Sequence, residues 1–218
     1  MAFKVGAVIV CAGKGKRLKG TDKAILPLRG KPLFFHATNL FARLKEIKEI
    51  VLVIRKNHFS LAKRIIKNKK VKLAPGGVRR RDSVYNGLAV LGKDISHVLI
   101  HDGARPFLSR EVVNNILKEL KKYPAVICGI AAKDTLKNVN AGFVKETLSR
   151  DEVYYIQTPQ GFRKDDILEA YKKVKGDVTD DAQLFERMGK KVKIVEGSSL
   201  NIKITYPEDV VLARKLVG

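Results

Sequence analysis

The sequence predicts a three-layer α/β fold, with helices on both faces of a mostly parallel sheet and a protruding β-hairpin arm. Two observations carry this expectation. The short apolar runs VGAVIV at 5–10, IVLVI at 50–54 and AVICGIA at 125–131 read as strands buried on both faces. Segments of helical spacing lie between them, and strands that alternate with helices build parallel sheets.

In order along the chain, strand 5–10 leads into a Gly/Lys-rich loop. Residues 32–45 form a helix with Leu33, Ala37, Leu40, Phe41 and Leu44 on one stripe. Strand 50–54 follows, then a helix over 59–68, a short strand over 71–74 and a helix over 82–91. The run HVLIH at 97–101 is a strand ending in Asp102-Gly103, and 111–122 is a helix. Strand 125–131 closes the regular alternation. Between 133 and 162 the pattern breaks into two polar-apolar runs, from Phe143 and from Val153, with a turn at Asn140-Ala141-Gly142. This reads as a hairpin arm with little core of its own, and an isolated hairpin is marginal in water. Residues 164–173 and 180–188 are helices, the second opened by Asp180 and Gln183. Short strands over 192–195 and 202–204 and a closing helix from Pro207 complete the chain. It reads as one domain, 1–218, with an arm over 134–158 that must pack on something else.

The chain has 218 residues, 44 Lys plus Arg and 22 Asp plus Glu, a net charge of +22. Its 45% hydrophobic content argues against disorder. No apolar run approaches the roughly 20 residues of a membrane span. The N-terminus lacks the pattern of a signal peptide, so a cytoplasmic protein is expected. Cys11 and Cys128 sit in apolar surroundings and read as buried thiols. The basic residues are spread along the whole chain, which suits a solvated surface. The alternative, a nucleic-acid-binding protein, predicts stacking aromatics among basic residues; aromatics are 7% here and Trp is absent. No nucleic-acid partner is expected.

The chemistry gathers in six short segments. Cys11-Ala-Gly-Lys-Gly-Lys-Arg follows the first strand. Gly13 and Gly15 let the backbone approach an anion, and Lys14, Lys16, Arg17 and Lys23 surround it with positive charge. In open α/β sheets, ligands bind beyond the carboxyl ends of strands. The spacing fits neither a phosphate-binding Gly-x-x-x-x-Gly-Lys loop nor the dinucleotide fingerprint. Gly76-Gly-Val-Arg-Arg-Arg-Asp-Ser-Val places three arginines before a helix, where they oppose its dipole. His101-Asp-Gly-Ala-Arg-Pro-Phe ends a strand in a carboxylate. Thr158-Pro-Gln-Gly-Phe and Val178-Thr-Asp-Asp-Ala precede Asn201-Ile-Lys-Ile-Thr-Tyr-Pro-Glu-Asp. His36, His58, His97 and His101 show no metal-ligand spacing and read as structural.

These motifs, in this order from about Val5 to Leu216, resemble the 2-C-methyl-D-erythritol 4-phosphate cytidylyltransferase family. The resemblance implies a Rossmann-like fold of the nucleotide-diphospho-sugar transferase type. It implies a reaction in which CMP passes from CTP to a polyol phosphate with release of pyrophosphate, assisted by Mg2+. An enzyme for another polyol phosphate, such as ribitol 5-phosphate, is the alternative within the class. By the resemblance, Ala12, Gly13, Lys14, Gly15 and Lys16 wrap the triphosphate, and Gly77, Arg80 and Ser83 hold the cytidine. Arg17, Lys23 and Lys203 are catalytic cations, and Asp102 binds the metal. Arg105, Thr135, Arg150 and Thr158 contact the polyol phosphate. Thr135 and Arg150 reach it from the exchanged arm of a homodimer. Three departures from the family pattern stand out. Cys11 replaces a small Ala, with little effect expected. Asp22 replaces a Pro and either loosens the loop or pairs with Lys23. Val78-Arg79 replaces a more acidic pair.

Overall fold

The computed structural model describes residues 2–13, 15–18, 20 and 22–217, with Lys16 by its backbone alone. A seven-stranded sheet forms its centre. Its strands are β1 (Val5–Val10), β4 (Ile47–Ile54), β5 (Val71–Pro75), β6 (His97–Asp102), β7 (Ala125–Ala131), β10 (Tyr154–Arg163) and β11 (Lys193–Glu196). The order across the sheet is β11-β7-β10-β6-β1-β4-β5. All neighbours are parallel except at β10, which runs antiparallel to both β6 and β7.

Successive residues of a strand face opposite sides, and here both sides are covered. Ala7, Ile9, Ile50, Leu52 and Leu99 pack under α1 (Leu33–Arg43) and α4 (Arg110–Leu120), which contribute Phe34, Phe41, Ile116 and Leu120. Val8, Val51, Val53, Val98 and Phe162 pack under α3 (Arg80–Val90), α5 (Lys164–Lys173) and α6 (Ala182–Glu186), which contribute Val84, Leu88, Ile167 and Phe185. The apolar runs are unbroken because neither face meets water. A third, small cluster joins Leu18, Leu28, Leu33 and Ile204 to Ala213 of α7 (Pro207–Leu216). It pins the end of the first loop and the segment around Lys203 to one place. Helix α2 (Phe59–Ile65) and the two-residue strands β2 (Pro27–Leu28) and β3 (Lys31–Pro32) complete the body.

The arm differs from the expectation in one respect. Strand β8 (Leu136–Asn140) pairs with β9 (Phe143–Leu148) as a separate two-stranded sheet. Its turn is the expected one, with Ala141 and Gly142 at φ 49° and 85°. The run from Val153 does not belong to it. Residues 154–163 enter the central sheet as β10, so the separate hairpin spans 136–148. The expected strand at 202–204 is absent. That segment is irregular and is held by the Ile204 N–H, which donates to the Ala104 carbonyl at 2.9 Å.

Candidate active site

A cleft of about 960 Å3 opens beyond the carboxyl ends of β1, β5 and β6. That size lies at the upper end of the roughly 300–1,000 Å3 usual for small-ligand sites. It brings together Ala12, Gly13, Gly15, Arg17, Lys23, Gly77, Arg80, Ser83, Asp102 and Lys203 from widely separated stretches of sequence. Lys14 and the side chain of Lys16 lie outside the described residues.

The loops meet so closely that glycine is obligatory at the crossing. A Cβ on Gly76 would lie 2.1 Å from the Cβ of Ala12, and one on Gly77 would lie 2.4 Å from that of Asp82. Gly15 adopts φ 62° before the short 3-10 turn Lys16–Leu18, a conformation open to glycine at little cost. Buried Ser83 shapes the second loop. Its Oγ accepts the Gly77 N–H at 2.9 Å and donates to the Arg79 carbonyl at 3.2 Å.

Charge is arranged as a chain of ion pairs. Lys203 Nζ lies 2.6 Å from Asp102 Oδ2, and Arg80 Nε lies 3.1 Å from Asp102 Oδ1. Arg80 Nη2 continues to Asp181 Oδ2 at 2.8 Å, and the Tyr171 hydroxyl donates to the other oxygen of Asp181. Burial opposes ionisation of Asp102, but Arg80, Lys203 and Arg105 outweigh it and hold the carboxyl well below the usual carboxylate range. Arg17 and Lys23 are different. The ion pairs at the cleft among the described residues take up Arg79, Arg80 and Lys203 and leave these two aside. Arg17 rests over the Tyr206 ring at 5.5 Å. Burial, then Lys203 and Arg17, lower the pKa of Lys23.

The polyol-side residues are less uniform. Arg105 sits behind Asp102 and donates from Nη1 to the Asn201 carbonyl at 2.7 Å, while its buried Nε has no partner. Like Arg105, Thr158 is not among the residues that line the cleft. It is buried, and its Oγ accepts the Asp102 N–H at 3.0 Å. His101 completes that support. Its Nε2 faces the Arg105 carbonyl, which can only accept, so Nε2 carries the hydrogen and Nδ1 accepts from the Thr158 hydroxyl. Burial pushes His101 down to about 4, which keeps this neutral tautomer. Thr135 and Arg150 are exposed at the base of the hairpin, apart from the cleft of their own chain.

The family model for 2-C-methyl-D-erythritol 4-phosphate cytidylyltransferase matches residues 5–218. The chain belongs to this family. A cytidylyltransferase of that name from Clostridium botulinum is 41% identical, over 98% of this chain and 97% of its own. One from Dehalococcoides mccartyi is 42% identical over 98% and 96%. The crystal structure of 4-diphosphocytidyl-2C-methyl-D-erythritol synthase from Anaerococcus prevotii superposes with a TM-score of 0.90 at 36% identity, covering 98% of this chain and 96% of that one. The Thermus thermophilus cytidylyltransferase gives 0.81 at 29%, covering 98% of each.

As a cytidylyltransferase, the chain shows how its departures from the family pattern are absorbed. Asp22 does not pair with Lys23. Its Oδ1 caps the 3-10 turn Lys23–Ile25 by accepting the Ala24 N–H, and its Oδ2 takes Arg55 at 3.0 Å and His58 at 2.6 Å. The loop is tied to the β4–α2 connection, and Lys23 is left to the cleft. Cys11 matters more than expected, because its Sγ fills the space that a Cβ on Gly103 would need, 1.8 Å away. Val78 is 99% exposed at the rim, and Arg79 is occupied by Asp82 and Asp177. The three adjacent arginines are thus tolerated at a helix start because each has its own partners. Arg81 donates to the carbonyls of Tyr171, Val174 and Gly176 at the end of α5, where the helix dipole is negative.

Two groups escaped sequence reasoning. Asp181 is one; its only sequence signal is an acidic residue at the start of the expected helix 180–188. Gln160 interlocks two motifs, accepting the N–H groups of Asp181 and Ala182 at 3.1 Å and donating to Asp180 at 2.8 Å.

Proposed function

We propose that this chain carries out its family's reaction: transfer of CMP from CTP to 2-C-methyl-D-erythritol 4-phosphate, giving 4-diphosphocytidyl-2-C-methyl-D-erythritol and pyrophosphate. A phosphate oxygen of the polyol attacks the α-phosphorus, the bond to the β-phosphate oxygen breaks, and its electron pair leaves with pyrophosphate. The nucleophile is already largely ionised at pH 7, since the second phosphate pKa is about 6. No general base is needed, and catalysis rests on placement and charge. The observation that carries this reading is the pair Arg17 and Lys23, two cations lining the cleft beside a glycine loop and outside its ion pairs. They stabilise charge on the α-phosphate and the leaving group. Ala12, Gly13, Lys14, Gly15 and Lys16 wrap the triphosphate, and Gly77, Arg80 and Ser83 hold the cytidine. Lys203 and Arg105 bind the polyol phosphate. The unpartnered Nε of Arg105 supports its role, because a buried donor left unsatisfied costs about 1–3 kcal/mol that an anion recovers.

Asp102 suits Mg2+. It is an ionised carboxylate on the cleft wall whose oxygens each take only one N–H in the ion pairs above. Among the described residues no three His, Cys, Asp or Glu side chains cluster as a cage, and Mg2+ commonly takes one or two carboxylates plus substrate phosphates. When bound, the ion neutralises phosphate charge. Thr158 acts by fixing the Asp102 backbone. The chain is one domain, and the 136–148 hairpin serves an exchanged-arm homodimer in which Thr135 and Arg150 serve the partner's site. Exposed Val139, Phe143 and Val144 support this, as an apolar surface on an arm without a core. The buried free thiols Cys11 and Cys128 suit a reducing, cytoplasmic setting.

Pyrophosphate release tests the reading, with each of CTP, UTP, GTP and ATP against methylerythritol phosphate and ribitol phosphate. Release only with CTP and methylerythritol phosphate is expected. Arg17→Ala and Lys23→Ala should each lower kcat about 100-fold or more with smaller changes in CTP binding. Near-normal turnover in both variants would overturn the assignment.

A further inference from the structure

Asp181 is wholly buried and is not among the residues lining the cleft, yet it takes one side of an arginine that faces it. An arginine beside a carboxylate commonly closes a two-toothed fork on it. The Nε and Nη2 edge of Arg80 could form such a fork with Asp102. It is split instead: Nε goes to Asp102 and Nη2 to Asp181. Asp181 is itself fixed from three sides, by the Tyr171 hydroxyl on its Oδ1, by Arg80 on its Oδ2, and by the Gln160 side chain on its N–H. The second oxygen of Asp102 is left to Lys203, whose side chain is 40% exposed.

We infer that Asp181, backed by Tyr171, is a positioning residue: it holds half of the Arg80 fork away from Asp102 and so keeps one Asp102 oxygen exchangeable. The inference rests on the reading that Asp102 faces the phosphates and their cation. Without the Asp181 charge, Arg80 closes on both oxygens of Asp102. The carboxylate then becomes a satisfied internal pair, and a cation carried in with CTP finds no ligand.

The test is Asp181→Asn, which keeps shape and removes charge, with Asp102→Asn beside it. Two readouts are followed: kcat, and the gain in CTP affinity on adding Mn2+, measured by calorimetry without the second substrate. Asp181→Asn is expected to lower kcat about tenfold or more and to abolish most of the Mn2+-dependent gain while metal-free CTP binding stays within about threefold. Tyr171→Phe, which frees Asp181 without discharging it, should shift both readouts in the same direction by less, and serves if the first variant does not fold. Adding Arg80→Gln to Asp181→Asn should restore part of the Mn2+ response, because no guanidinium then covers Asp102. A purely structural role predicts a further loss instead. If Asp102→Asn destroys the Mn2+ response and Asp181→Asn leaves it intact, the inference fails and the cleft reading survives. If Asp102→Asn is itself silent, both fall.

Discussion

Lys23 is a cation that the fold makes easier to discharge. Burial, with Lys203 and Arg17 nearby, lowers its pKa, while Asp102 and Asp209 oppose the shift only in part. The capping of the turn by Asp22 sets this up, since that carboxylate turns toward Arg55 and His58 rather than toward Lys23. In the proposed reaction the cationic form is the one that meets the triphosphate. A lowered pKa means that the charge is present at neutral pH and is lost as pH rises, earlier than for an ordinary lysine. The alkaline limb of kcat/KM, which reports the free enzyme, should therefore fall below the usual lysine range. The limb of kcat should lie higher, because bound triphosphate restores the charge. Lys23→Arg, whose guanidinium does not discharge in this range, should remove the alkaline limb of kcat/KM at a reduced plateau. A limb that stays in place in Lys23→Arg would assign it to another group.

Among the loops, the crossing of the first and second carries the site's rigidity. Gly76→Ala sets two carbons at 2.1 Å, so one loop must move. A loss of about 1–3 kcal/mol in stability is expected, with CTP affinity falling in parallel; thermal melts with and without CTP check both. An unchanged melt would mean that the loops are looser than this geometry. This crossing was only half legible in the sequence. The glycines signalled close approach, but nothing in the spacing says which loop approaches which. The strands legible from the start, β1, β6 and β7 and most of β4, are largely buried on both faces, where continuous apolar runs are required. Strand β4 extends three residues further back than expected because Lys48 and Glu49 interrupt the run near its edge. Strand β10 was missed as a central strand. It contains Pro159, and residues such as Gln157, Thr158 and Gln160 serve the site rather than the core. Its pairing with β7 shifts register between Ile156 and Gln160, which accommodates the proline. The turn that opens α6 was legible from Asp180 and Gln183: Asp180 Oδ1 accepts the Gln183 N–H and Gln183 Oε1 accepts the Thr179 N–H, each at 3.0 Å, although the helix proper begins at Ala182. The Asp181–Arg80–Asp102 chain was not, because it joins residues about 20 and 100 apart in sequence that only the sheet order brings together.

Across the whole molecule, the charge of +22 and the hairpin describe complementary demands. Both substrates are small, strongly negative molecules, and surplus positive charge raises their rate of encounter. It also repels a second copy of the chain, so a dimer needs apolar surface to offset the repulsion. The hairpin supplies it, with Phe143 at 79% exposed and Val139 and Val144 also outward, joined by Tyr154, Tyr155 and Ile156 at the start of β10. In the proposed exchanged-arm dimer each site would contain the cleft of one chain and the arm of the other. That arrangement makes a prediction that no single-chain site can meet. Arg17→Ala disables a cleft and spares the arm, whereas Arg150→Ala disables an arm and spares the cleft. Each variant alone should be nearly inactive. When the two are unfolded and refolded together, half of the dimers are mixed, and each mixed dimer has one intact site. Roughly a quarter of the parent activity should return. The recovery should vanish when the two are mixed without subunit exchange. If co-refolding restores nothing while sedimentation shows mixed dimers, Arg150 acts on its own chain or not at all, and the exchanged arm is only a dimer contact.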